Sequence, residues 1–217
     1  MWQAQVFTLY PEVFPGPLSK GLYGKALSNN LWKLKVVNIR DAADDKHKTV
    51  DDTPYGGGSG MIIKADVLAK SLDENIKEKE KIIYLSPKGK LFNHKYAKEL
   101  STEKTLNLIC GHFEGIDERI IQNRNIEEVS IGDFVLSGGE VATFVVLDAI
   151  LRFLPGVLGN ENSNEEESFE NGLLEYPQYT KPQIWEDKSV PDVLLSGDHA
   201  KIKDWRLSQS EAITRDR

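Results

Sequence analysis

"TLNLICGHFEGIDERIIQNRNIEEVSIGDFVLSGGE", Thr105 to Glu140, runs twice through strand, glycine-bearing turn and onward segment. TLNLICG is apolar with little alternation, as a strand is when both of its faces are covered. GIDERIIQNR then reads as a helix. EEVSIGDFVL reads as a second strand, running into SGGE. Immediately after it, Glu140 to Leu154 is apolar almost all round, with Val141, Phe144, Val145, Val146, Leu147, Ile150, Leu151, Phe153 and Leu154. Such a helix is expected in a core or at a subunit interface, and Pro155 and Gly156 end it.

The same alternation extends towards the N-terminus. Gln5 to Tyr10 reads as a strand, Leu22 to Ser28 as a short helix and LWKLKVVNI as a strand. Asp41 to Gly60 is charged, then glycine-rich, and reads as a loop. Lys64 to Lys79 carries Val67, Leu68, Leu72 and Ile76 at helical spacing. KIIYLS reads as a short strand bounded by Pro87 and Gly89, and NHKYAKEL as a helix. Strands that alternate with helices imply an α/β layer fold with a largely parallel sheet. From Asn160 to Glu186 the apolar pattern dissolves into polar residues and prolines, which reads as a linker. LLSGDHAKIKDWRLSQSEAI reads as a helix capped by Asp198, with Lys201, Lys203 and Arg206 exposed.

The formal net charge of the 217 residues is −7. Almost all of it lies between Asn160 and Glu175, where Glu161, Glu165, Glu166, Glu167, Glu170 and Glu175 meet no Lys or Arg. The rest of the chain is close to neutral, so the overall charge does not exclude an RNA partner; local basic patches decide. No apolar stretch is long enough for a membrane helix. MWQAQVFTLYPEVF lacks the parts of a secretory signal. The single cysteine, Cys110, excludes an internal disulfide and fits a reducing, cytoplasmic setting.

Three glycine loops carry the first chemical signal: YGGGSG (Tyr55–Gly60), CGHFEGIDER (Cys110–Arg119) and SIGDFVLSGGE (Ser130–Glu140). Glycine permits positive φ and close backbone approach to a ligand. Two of the loops follow strands, where open α/β sheets form binding crevices. None reads as a dinucleotide fingerprint or a P-loop. The histidines His47, His94, His112 and His199 are scattered, and no metal-ligand spacing occurs. Cys110 reads as a buried small hydrophobe rather than a nucleophile. Asp51 and Asp52 read equally as a solvated turn or as substrate contacts. Arg152, near the end of the apolar helix, must snorkel, pair or face a polar site, because a buried unpaired guanidinium is costly.

KTVDDTPYGGGSGM, CGHFEGIDERII, SIGDFVLSGGE, RFLPGVLGNE, YPQYTKP and LLSGDHAKIKDWR, taken together, closely resemble the bacterial tRNA (guanine-N1)-methyltransferases, the TrmD type of the SPOUT superfamily. The likeness runs from Met1 to about Ser210. It implies a SPOUT-type α/β domain over residues 1–159 whose C-terminal part forms a deep trefoil knot. It further implies a flexible acidic linker over 160–176 and a small helical, tRNA-contacting domain over 177–217. It implies a homodimer with active sites at the subunit interface, tRNA as substrate and S-adenosylmethionine as methyl donor, with magnesium associated with activity. Donor contacts are then expected at Tyr84, Leu85, Ser86, Pro87, Gly111, Glu114, Ser130, Ile131, Gly132, Asp133, Phe134, Val135, Leu136, Ser137, Gly138 and Gly139. Substrate contacts are expected at His47, Asp51, Gly57, Gly58 and Ser168.

The implied reaction methylates N1 of the guanosine just 3′ of the anticodon. A carboxylate removes the N1 proton, and a cation stabilises charge on O6. Arg152 matches the family's functional arginine. The family's base is an aspartate directly before Ser-Phe; here Glu167 stands there, with Glu166 as an alternative. His112 and Phe113 stand where Arg-Tyr is common, and Ala142 where proline often stands. The chain ends soon after SQSEAI, short of the usual C-terminal helices. The competing reading is a tRNA-binding protein of the same fold with weakened catalysis.

Overall fold

Ala4 and Val6 point to one side of the first strand, β1 (Trp2–Thr8), and Phe7 to the other, and all three are fully buried. A strand needs cover on both faces to bury such a run. The computed structural model describes residues 1–77, 80–158 and 167–217. The chain divides into two compact units, Met1–Gly159 and Asn160–Arg217.

In the first unit, β1 is joined by β2 (Trp32–Asn38), β5 (Lys81–Leu91), β6 (Thr105–Ile109) and β7 (Glu127–Ser130). The order across the sheet is β2-β1-β6-β5-β7, and every pairing is parallel. Two short strands, β3 (Asp51–Asp52) and β4 (Ile62–Ile63), form a separate antiparallel pair. One face of the large sheet is packed by α1 (Gly21–Ser28), α3 (His94–Leu100) and α5 (Gly139–Leu151). The other is packed by α2 (Ala65–Asn75) and α4 (Glu118–Asn123). The α/β class and the parallel sheet are those expected from the alternating pattern. Trp32 is fully buried and donates its indole N–H to the Tyr23 carbonyl at 3.1 Å. The large apolar ring thus enters the core without orphaning its one donor.

Several strand assignments differ from the sequence reading: β1 spans Trp2–Thr8 rather than Gln5–Tyr10, β3 falls within the stretch Asp41–Gly60 read as a loop, and β5 and β7 end elsewhere than expected. β5 does not stop at Pro87 but continues to Leu91. Its ladder with β7 slips there: Val129 is opposite both Leu85 and Lys90, so Ser86–Gly89 bulges out between them. Proline and glycine allow this, since proline has no N–H to give a ladder. A Cβ on Gly89 would sit 2.2 Å from the Val129 nitrogen. β7 covers only Glu127–Ser130 of the longer strand expected from EEVSIGDFVL. Ser130 Oγ and Gly132 hydrogen-bond each other at 3.1 and 3.2 Å, turning the chain out of the sheet.

Helix α5 buries one face and leaves the other open within the chain. Ala142, Thr143, Val146, Leu147, Ile150 and Leu151 are buried, whereas Val141 is 58% and Val145 47% exposed.

In the second unit, α7 (His199–Asp216) is capped as expected: the Asp198 carboxylate accepts from the Lys201 N–H. A short helix, α6 (Asp192–Leu195), and a hairpin, β8 (Ile184–Trp185) with β9 (Lys188–Ser189), precede it. Arg206 is half-buried over the Tyr176 ring, 4.7 Å from its centroid, rather than exposed. Within the stretch read as a linker, the Leu174 N–H donates to Thr214 Oγ1 at 2.8 Å, joining it to α7.

Candidate functional site

Three segments far apart in sequence meet at the same edge of the sheet, one within β5 and two beyond the C-terminal ends of β6 and β7. They are the bulge at Ser86–Gly89, the turn Gly111–Gly115 and the loop Ile131–Gly138. Open α/β sheets form ligand crevices at these ends because the loops there splay apart. Between them lies a cavity of about 330 Å³, within the size range of small-molecule sites, roughly 300–1,000 Å³. Of the residues expected to contact a methyl donor, all line it except Asp133, which is exposed on the same loop. His112, Phe113, Gly115, Ile116, Glu128, Val129 and Ala142 line it as well. Of these, Glu128 and Val129 directly precede the expected Ser130, and His112 and Phe113 lie between the expected Gly111 and Glu114. Their side chains alone carried no signal.

Backbone contacts stitch the loops together. The Gly139 N–H donates to the Gly111 carbonyl at 2.9 Å, and His112 and Gly138 form an antiparallel bridge. Gly111 must be glycine for a steric reason: an added Cβ would lie 2.6 Å from Tyr84 Cε2. Burial raises the Tyr84 phenol above its ordinary pKa, and the charge of Glu128 adds to this. Burial also pushes the Cys110 thiol well up, while a hydrogen bond with Thr143 opposes it. The thiol is therefore inert, as its apolar sequence context suggested.

The glycine loop Tyr55–Gly60 adjoins this cavity through Glu114. The Glu114 N–H donates to the Met61 carbonyl at 2.9 Å, and the Ile63 N–H to the Gly115 carbonyl at 3.0 Å. A Cβ on Gly60 would meet the Glu114 carboxylate at 2.6 Å. Gly57 and Gly58 lie exposed on this loop with positive φ. Asp51 is half-buried in β3, and His47 is exposed on the preceding turn.

Arg152 does not line the cavity of its own chain. It follows α5 directly, and its guanidinium hydrogen-bonds the Tyr23 hydroxyl, which itself donates to Asp148 Oδ1 at 3.0 Å. Burial, with the Asp148 charge, pushes the Tyr23 phenol up to about 12. Glu167 and Ser168 belong to the second unit, where Ser168 Oγ accepts from the Glu175 N–H at 3.0 Å. Glu166 lies outside the described residues.

A family model described as tRNA (Guanine-1)-methyltransferase TrmD matches residues 2–217. A tRNA (guanine-N(1)-)-methyltransferase of Pelagibacter ubique (strain HTCC1062) is 78% identical over 215 residues, covering 99% of this chain and 94% of the relative. That of Bartonella quintana (strain Toulouse) is 56% identical over 216 residues, covering 100% and 93%. That of Brucella canis (strain ATCC 23365 / NCTC 10854 / RM-666) is 53% identical, covering 100% and 88%. With its parallel sheet and the glycine loops gathered at one end of it, the chain belongs to the TrmD family of tRNA (guanine-N1)-methyltransferases.

Proposed function

We propose that the protein transfers a methyl group from S-adenosylmethionine to N1 of the guanosine immediately 3′ of the anticodon, position 37, in tRNA. The observation that carries this reading is the convergence of the bulge in β5, the turn after β6 and the loop after β7 on one cavity, in a chain of this family. The cavity suits the donor: backbone lies open at its glycines, Leu85 and Ile131 give it apolar walls, and Glu114, Ser130 and Ser137 give it polar ones.

The bound donor supplies an electrophilic methyl group on its sulfonium. Guanine N1 is not nucleophilic while it carries a proton. The Glu167 carboxylate accepts that proton, a step typically worth ~10²–10⁴-fold. The Arg152 guanidinium meets the negative charge that grows on O6. N1 then forms the new bond to carbon as the carbon–sulfur bond breaks towards sulfur. Ser168, Asp51, His47, Gly57 and Gly58 contact the tRNA. Among the described residues no three His, Cys, Asp or Glu side chains gather as a metal-ligand set. Magnesium therefore has no self-contained site among them.

The working unit is a homodimer. Val141, Val145, Asp148 and Arg152 follow the i, i+4, i+7, i+11 spacing of one helix face, and the two valines are exposed. A second copy seated here covers them and brings Arg152 to the partner's cavity, which accounts for its absence from its own. The loops around the cavity form the trefoil knot of the SPOUT superfamily, the second unit contacts tRNA, and the protein works in the cytoplasm. Among the described residues no helix is long and apolar enough to cross a membrane.

The test is incubation of the purified protein with S-adenosylmethionine and tRNA transcripts bearing guanosine or adenosine at position 37. Mass spectrometry of the digested nucleosides should show 1-methylguanosine only with the former. Tight tRNA binding without any methylated product favours a binding protein of the same fold.

A further inference from the structure

Beneath the cavity runs a buried hydrogen-bond chain to which neither the family motifs nor the proposed reaction assigns a task. The Tyr10 N–H donates to Thr8 Oγ1 at 2.9 Å. Thr8 Oγ1, so occupied, turns its own proton to Glu140 Oε1 at 2.5 Å. Both Glu140 oxygens lie within 2.9 Å of His112 Nε2. Thr8 is fully buried and Glu140 is 7% exposed. The carboxylate also sits in the first turn of α5, where the helix dipole favours an anion.

The three residues come from the end of β1, the turn after β6 and the start of α5. β1 and β6 are neighbours in the sheet, so the chain spans the gap beside the cavity. Of the three, only His112 lines the cavity. A carboxylate that already accepts from Thr8 takes its second bond from a ring N–H, so Nε2 carries a proton. That fixes the ring's orientation and leaves Nδ1 as its other polar atom. The same contact clamps the turn Gly111–Gly115 to the loop that ends at Gly138, whose Cβ, if added, would meet His112 Cε1 at 2.2 Å.

We infer that Thr8 and Glu140 are positioning residues: through His112 they hold the two glycine loops in the geometry that binds the methyl donor. The inference rests on the proposed donor site and deepens it. A ring N–H held by a carboxylate that a third group fixes is a common way to lock the orientation of a functional ring.

Calorimetric titration of the full chain with S-adenosylhomocysteine tests it. Thr8→Val keeps the shape but removes the hydroxyl, and Thr8 is no part of the cavity wall. It should weaken binding about tenfold, a typical coupling within one network, whereas Thr8→Ser should stay within about threefold of wild type. His112→Ala should weaken binding as well, and Thr8→Val with His112→Ala should be no weaker than His112→Ala alone. In turnover, Thr8→Val should raise KM for S-adenosylmethionine and leave kcat within about threefold. A melting curve confirms folding; if Thr8→Val does not fold, Glu140→Gln paired with His112→Ala applies the same criterion. Wild-type affinity in Thr8→Val, or single effects that simply multiply in the double variant, overturns the inference alone. No binding by the wild-type protein overturns the donor site and the inference with it.

Discussion

Gly111 and Tyr84 are packed so closely that a methyl group on the glycine would lie 2.8 Å from the tyrosine hydroxyl and 2.6 Å from its ring. Tyr84 lies in β5 and Gly111 just past the end of the neighbouring β6, and both line the cavity. Because backbone here stands where a side chain would stand elsewhere, Gly111→Ala must push Tyr84 into the cavity or move the turn. The expected outcome is at least a tenfold rise in the dissociation constant for S-adenosylhomocysteine, about 1.4 kcal/mol, measured by calorimetry. A dissociation constant unchanged by the substitution would show that the donor binds elsewhere.

Glu167→Gln keeps the shape of the side chain and removes its basicity. It should lower kcat at least ~10²-fold, the scale of general-base catalysis, with tRNA affinity retained in filter-binding assays. Equal turnover by the two proteins would exclude Glu167 as the base.

Arg152→Ala should lower kcat far more than it weakens donor binding, since Arg152 lies outside its own chain's cavity. Tyr23→Phe, which removes the hydroxyl that bonds Arg152, should cost much less turnover. Equal loss of turnover and donor affinity in Arg152→Ala would mark a structural arginine.

Val141 and Val145 make the open stripe of α5. Val145→Glu places a charge on it without touching the buried face. Sedimentation should then show a shift from dimer to monomer, with turnover lost and the far-ultraviolet circular dichroism retained. A variant that stays dimeric would place the interface on another face.

Cys110 is the only cysteine and is fully buried, its thiol pushed up by burial. Ellman's reagent should leave it untouched in the native protein and label one equivalent in denaturant, since only the exposed thiolate reacts. Fast native labelling would mean that the β6 end opens readily.

At the N-terminus of α7, the Lys201 N–H holds the Asp198 carboxyl below the usual carboxylate range. A depressed carboxyl favours the folded state above the unfolded pKa and loses that effect as pH falls through the folded value. Thermal melts should therefore show Asp198→Asn falling slightly behind wild type near pH 7, with the gap closing as pH falls below the usual carboxylate range. The amide still caps the helix but carries no charge. Identical pH profiles would mean that the charge adds nothing to the cap.

Much of each unit was written in local pattern. The unalternating run Thr105–Ile109 announced a strand covered on both faces, and helices on both faces cover it. Asp198 announced the start of α7, and its carboxylate caps it. The three glycine loops announced close backbone approach, and two of them close on one cavity. These features are legible because hydrophobic period, capping and turn chemistry act over a few residues.

What local pattern leaves open is pairing across distance. The bulge at Ser86–Gly89 exists because β7 pairs on both sides of it; from the sequence, Pro87 and Gly89 marked only the end of a strand. The end of β7 at Ser130 is set by where β5 stops offering partners. Thr8, His112 and Glu140 are more than a hundred positions apart at their extremes, and nothing in their own neighbourhoods links a strand threonine to a helix glutamate. Residue types and spacing thus determined which elements form and which segments become glycine loops; only the tertiary fold, by bringing the ends of β1 and β6 against the start of α5, decided that a buried carboxylate meets the ring of His112 beside the cavity that two of those loops line.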